Sequence, residues 1–169
     1  MKIQALFLAT LTYASYAAAV IGGLPVDNLQ QKAATVGVRL QKGDCSGAYI
    51  GNNKVVTAAH CLFEGGSAIS ITFNLPSGPA VCAVTRQLFY PKYSIRQSPW
   101  FDIAVLKFEC DNLEYKNVMP YKINIPLNDN TSLFAAGYGA TSKNSKHSTF
   151  PELNSLRLQK FDMNQALEI

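Results

Sequence analysis

The sequence predicts an all-β protein built as an antiparallel barrel or sandwich, and three observations lead there. Apolar residues recur with a period of two in several short segments, the pattern of half-buried strands. Pieces rich in Gly, Asn, Ser and Pro separate those segments. No long stretch carries helical periodicity, and the chain holds neither an internal repeat nor a low-complexity segment.

The elements follow in order. Val36, Val38 and Leu40 alternate with Gly37 and Arg39 in the first strand. After the turn signal Gly51-Asn52-Asn53, Lys54 to Ala58 reads as the next. Ile69, Ile71 and Phe73 alternate with Ser70 and Thr72, so the three should share one face. Pro76-Ser77-Gly78-Pro79 turns the chain toward a strand at Val81 to Phe89, and Ile103 to Phe108 gives another. Asn117 to Asn130, which includes the turn signal Asn128-Asp129-Asn130, is rich in Pro, Asn and Asp and reads as a connector. Strands resume at Leu133 to Ala136 and Leu153 to Phe161, and Asn164 to Ile169 looks like the opening turn of a helix capped by Asn164. The part before the connector has the size of a small closed barrel. The part after it, under about forty residues, is too short for a core of its own.

The first nineteen residues have the three-part layout of a secretory signal peptide: positive Met1-Lys2, an apolar run from Ile3 to Tyr16, and the small-residue site Ala17-Ala18-Ala19. Gln4, Thr10, Thr12 and Ser15 interrupt the run, which is also shorter than the ~20 residues of a spanning helix. Cleavage after Ala19 would make Val20 the mature amino terminus, with no membrane association afterwards. The expected destination is secreted and extracellular, or periplasmic in a bacterium, where disulfides persist. At 48% apolar and 15% charged residues the chain is not disordered, and 11 Gly with 8 Pro are too few for collagen. A net charge of +4 from 15 scattered Lys and Arg gives no footprint for nucleic acid.

Two segments carry chemistry. In Val55-Val56-Thr57-Ala58-Ala59-His60-Cys61 an apolar strand runs into a histidine flanked by small residues. A histidine at a strand end is by itself more often structural, but Ala58 and Ala59 leave room around the ring, and Cys61 could anchor the turn through Cys45. In Asp102-Ile103-Ala104-Val105-Leu106 an acid heads an apolar strand. A carboxylate there should be buried and needs a strong partner, unless it merely caps the strand. An imidazole N–H is a suitable partner, because the acid then sets the tautomer and orientation of the base.

These pieces together resemble the trypsin-like (chymotrypsin-fold, peptidase S1) serine endopeptidases. Val20-Ile21-Gly22-Gly23 is similar to the family's mature amino terminus, and Cys45-Ser46-Gly47 to the cysteine-rich strand entry before its histidine. Thr57-Ala58-Ala59-His60-Cys61, Asp102-Ile103-Ala104-Val105-Leu106 and Gly137-Tyr138-Gly139 follow in family order, the last like the Gly-Trp-Gly that opens the second barrel. The resemblance covers Val20 to about Phe161. It implies a chymotrypsin-like antiparallel β-barrel domain from residue 20 to 169. Residues 20–127 would form a complete first barrel, and 128–169 the connector and the start of a second.

By the same resemblance His60 is the general base and Asp102 its orienting acid. Cys45 and Cys61 match the family's disulfide across the histidine loop. Cys82 and Cys110 begin and end two strands, so an antiparallel pairing would set their sulfurs opposite each other. A second bridge is expected there rather than two free thiols. No metal or other cofactor is implied, since the Cys and His spacings do not fit zinc.

The family's nucleophile lies in Gly-Asp-Ser-Gly-Gly after the second glycine motif, and nothing after Gly139 matches it. Ser142, Ser145, Ser148 and Ser155 are not followed by glycine, and Gly-x-Ser-x-Gly is absent from the 169 residues. Gly43-Asp44-Cys45-Ser46-Gly47 looks similar, but it precedes His60, where the family has a disulfide cysteine. His147 reads as a surface-loop residue, Trp100 and Phe101 as packing or a cleft wall, and Asn130-Thr131-Ser132 as a glycosylation sequon.

Two readings follow. The first is the amino-terminal two-thirds of a secreted, monomeric serine endopeptidase acting on protein or peptide substrates, inactive until a serine-bearing part completes it. The alternative is an inactive protease homologue that serves as a secreted binding module. The unfinished helix after Phe161 favours the first.

Overall fold

The computed structural model describes residues 23–91, 93, 101–122, 133–138 and 153–158. Val20, Trp100, Asn130, Gly139, His147 and the helix expected from Asn164 lie outside them.

Six strands close a barrel. They are β2 (Thr35–Leu40), β3 (Gly43–Gly51), β4 (Lys54–Thr57), β5 (Ala68–Leu75), β6 (Gly78–Phe89) and β7 (Ala104–Glu109). The hydrogen-bonded order is β2-β3-β4-β7-β6-β5, closing back on β2, and every pairing is antiparallel. Closure removes the unpaired edges that an open sheet would expose. A two-residue strand β1 (Leu24–Pro25), β8 (Leu133–Gly137) and β9 (Asn154–Leu158) form a separate three-stranded sheet in the order β1-β9-β8. The sequence reading as an all-β antiparallel barrel therefore holds.

Alternation along each strand fills the barrel. On β7, Ala104, Leu106 and Phe108 are buried, while Val105 and Lys107 face outward and remain partly exposed. Phe73, Phe108, Tyr49 and Tyr115 meet at the barrel's centre, with Tyr49 edge-on to Phe73 at 5.3 Å and to Tyr115 at 6.4 Å. The expectation for Ile69 fails. A register shift opposite Arg39 and Leu40 makes Ala68, not Ile69, the partner of Leu40. The extra residue flips Ile69 outward, where it is 53% exposed, while Ile71 and Phe73 stay inside.

Asn52 and Asn53 both take left-handed backbones (φ 51° and 55°), the pair of angles that a tight β3–β4 hairpin requires and that Asn tolerates. The residue pattern missed strand β3, marked only by the strand entry that the family resemblance put at Cys45, because Gly43, Asp44, Gly47 and Gly51 give it the composition of a loop. Gly47 is there for space: a Cβ would fall 2.5 Å from Val55 Cγ1 and 3.1 Å from the Val56 carbonyl oxygen. Two short helices, α1 (Leu29–Ala34) and α2 (Ala59–Gly65), are each too short to show a period. Asn28 caps α1 by accepting from the Gln31 N–H.

The small sheet docks on the barrel through Tyr138. Its ring packs with Val26 and Leu153, and its N–H donates to Ser46 Oγ at 2.8 Å. Its hydroxyl donates to the Thr35 carbonyl at 2.9 Å and accepts from Asn74 Nδ2. Burial pushes the phenol up to about 12, so this link stays neutral at any ordinary pH.

Candidate active site

His60 lies in the first turn of α2, directly after β4 ends at Thr57. It was expected at a strand end, and the short helix is the correction. Ala59 is fully buried beneath the turn, while the imidazole side chain is 48% exposed. Thr57 Oγ1 donates to the Ser46 carbonyl at 2.8 Å, tying the end of β4 to β3 just before the turn. Cys61 bridges to Cys45 on β3 with the sulfurs 2.05 Å apart, which pins the helix from its other side.

Asp102 stands two residues before β7, and β7 pairs with β4 from Thr57↔Ala104 onward. This register brings the acid to the helix that carries the histidine. Asp102 Oδ2 meets His60 Nδ1 at 2.7 Å, and Oδ1 accepts the His60 backbone N–H, also at 2.7 Å. The carboxylate was expected to be buried, yet its side chain is 32% exposed, because it stands ahead of β7 at the barrel's rim. Desolvation alone would raise the acid. The ring and backbone donors of His60 and the backbone of Ala59 outweigh it and hold Asp102 below its usual 3.8.

The geometry decides the tautomer. An ionised carboxylate can only accept, so in the neutral ring Nδ1 carries the proton and Nε2 presents its lone pair. Nε2 lies 3.7 Å from Cys61 Sγ. A proton acceptor with its orientation set from behind is the chemistry that this pair offers.

Aromatic side chains cluster on the segments that carry and flank the pair. Phe63 of α2 packs on Phe89 and on Tyr93, both at 5.2 Å, and Tyr90 stacks on Phe101 at 4.8 Å. Desolvation raises the Tyr93 phenol, with the Asp102 and Glu64 carboxylates adding to the shift. Sequence reasoning passed over Phe63, Tyr90 and Tyr93. The only hint was the crowding of aromatics from Phe89 to Tyr93.

Cys82 and Cys110 form the second disulfide, with Cα atoms 4.4 Å apart where β6 and β7 run antiparallel. Ser46 sits on β3, its Oγ accepting the Tyr138 N–H. It also lines a cleft of about 780 Å³ with Thr35, Gly47, Tyr121, Leu133 and Phe134, while neither His60 nor Asp102 lines that cleft. Among the described residues no group of His, Cys, Asp and Glu could hold a metal ion, and no helix is long and apolar enough to cross a membrane.

The trypsin family pattern matches residues 20–165. The chain belongs to the trypsin family. Achelase-1 of Lonomia achelous is 32% identical over 130 residues, which is 72% of this chain and 60% of that protein. The alkaline trypsin A of Manduca sexta is 28% identical over an alignment of 177 residues, covering 95% of this chain and 65% of the relative. The chain thus spans less than two thirds of either relative's length. Among solved structures, neuropsin, a serine protease expressed in the limbic system of mouse brain, superposes with a TM-score of 0.69. At 17% identity, over 88% of this chain and 68% of that one, this is a likeness of fold.

Proposed function

We propose that the protein supplies the histidine and the carboxylate of a secreted serine endopeptidase that acts on protein or peptide substrates. One observation carries the reading: in a trypsin-family chain, Asp102 Oδ2 lies 2.7 Å from His60 Nδ1 and leaves Nε2 as acceptor. His60 is the general base, and Asp102 fixes its tautomer and stabilises the imidazolium that forms. Relatives named as trypsins support the substrate class.

Two disulfides and the leader from Met1 to Ala19 support secretion. Val20 is the first residue of the exported chain. Amino-terminal sequencing that begins elsewhere would contradict this.

Hydrolysis also needs a hydroxyl and donors for the oxyanion, whose stabilisation is usually the largest catalytic term. The 169 residues contain no Gly-x-Ser-x-Gly to present either. By themselves they do not cut peptide bonds. The test exposes the purified 169-residue chain to a fluorophosphonate probe and to a broad peptide panel. Neither labelling nor turnover is expected. Covalent labelling, or turnover abolished by His60→Ala, would reveal another nucleophile and overturn the reading.

A further inference from the structure

We infer that Tyr90 and Phe101 are positioning residues, whose stack holds a left-handed backbone at Phe101 and thereby aims the Asp102 carboxylate at His60. The inference deepens the proposed function, resting on His60 and Asp102 as its working pair.

Three described residues other than glycine have positive φ. Two are Asn52 and Asn53, a residue type that tolerates the left-handed region. The third is Phe101, at φ 66°, next to the acid. A bulky side chain adopts this conformation only when its surroundings enforce it, and such outliers gather at functional sites. The ring of Tyr90 supplies an enforcing contact: it lies 4.8 Å from that of Phe101 with 17° between their planes.

Hydrogen bonds convert the held backbone into an aimed carboxylate. The Ile103 N–H donates to the Phe101 carbonyl at 2.7 Å, a three-residue turn with Asp102 at its centre. The Tyr90 N–H donates in turn to the Ile103 carbonyl at 3.3 Å. Tyr90 therefore grips both sides of Asp102, by its ring before the acid and by its backbone after it. Released from the left-handed region, Phe101 would swing Asp102 away from Nδ1. Tyr90 and Phe101 act on the acid through this backbone.

The test reads the His60 ring tautomer by nitrogen-15 NMR in alkaline solution, where imidazole is neutral. The chain has 2 histidines, and His60→Ala assigns the signals. Paired with Asp102, His60 carries its proton on Nδ1; unpaired, it reverts to the Nε2–H form that free imidazole side chains prefer. The parent and Phe101→Asn, which accepts the left-handed backbone unaided, should show the Nδ1–H form. Tyr90→Leu and Phe101→Val should show the Nε2–H form, and Tyr90→Leu combined with Phe101→Asn should restore Nδ1–H. Should Tyr90→Leu fail to fold, the contrast between Phe101→Val and Phe101→Asn decides alone. Unchanged tautomers in Tyr90→Leu and Phe101→Val, or no rescue in the double variant, would overturn the inference while leaving the pair intact. An Nε2–H parent would overturn the proposed function as well.

Discussion

Tyr138→Phe isolates the joint between the small sheet and the barrel. The substitution keeps the ring against Val26 and Leu153 and removes only the hydroxyl. Tyr138 is 8% exposed, and Thr35, whose carbonyl the hydroxyl reaches at 2.9 Å, is 5% exposed. Asn74, the donor to that hydroxyl, is only half-buried and can turn to water. A dry carbonyl that loses its donor costs ~1–3 kcal/mol, while a replaceable hydrogen bond is worth ~0.5–1.5 kcal/mol net. The expected loss is about 2 kcal/mol, taking the first as the larger part. Urea unfolding should show it as a lower midpoint with the slope unchanged. Hydrogen exchange should place it, with amides of β8, β9 and Val26 losing protection before those of the barrel. A loss under about 0.5 kcal/mol, as for an ordinary surface change, would refute the argument. So would protection lost evenly across the barrel.

Other outcomes follow from single contacts. Gly47→Ala should cost ~1–3 kcal/mol in a thermal melt, because its Cβ would overlap Val55 Cγ1 inside a packed barrel; an unchanged melt would contradict that packing. Cys45→Ser with Cys61→Ser opens a bridge spanning a sequence separation of 16 and should cost about 3 kcal/mol in urea unfolding. Asp102, followed by carbon-13 NMR, should titrate below 3.8, and His60→Ala should move its midpoint up. Since the folded value is the depressed one, the stability it contributes is complete above 3.8 and fades as pH falls through the folded midpoint. A midpoint above 3.8 would mean that the His60 donors do not reach the acid.

Where one face of a strand is dry and the other wet, the residues declare it. Val36, Val38 and Leu40, or Ile71 and Phe73, could be read from the sequence because their period matched the pleat. Strand β3 could not, since close packing over Gly47 demanded glycine where strand composition would ask for a branched residue. Ile69 was misplaced by a bulge, which a periodic reading cannot see. His60 and Asp102 were legible as separate motifs. Their meeting depends on the register of β4 with β7, and the order of motifs supplied it only through family resemblance. Nothing in the sequence marked Phe101 as left-handed, because phenylalanine carries no preference for that conformation.

The central claim, that Asp102 holds His60 as the base for peptide hydrolysis, is tested most directly by turnover. A form of the protein extended by a segment that bears Gly-Asp-Ser-Gly-Gly is compared with its Asp102→Asn variant on peptide substrates. Ser-His-Asp triads in general lose about 10⁴-fold in kcat when the acid becomes an amide that sets the wrong tautomer. A loss of that order with KM little changed is the expected result. Equal kcat in the two proteins, or no hydrolysis by the parent, would contradict the account.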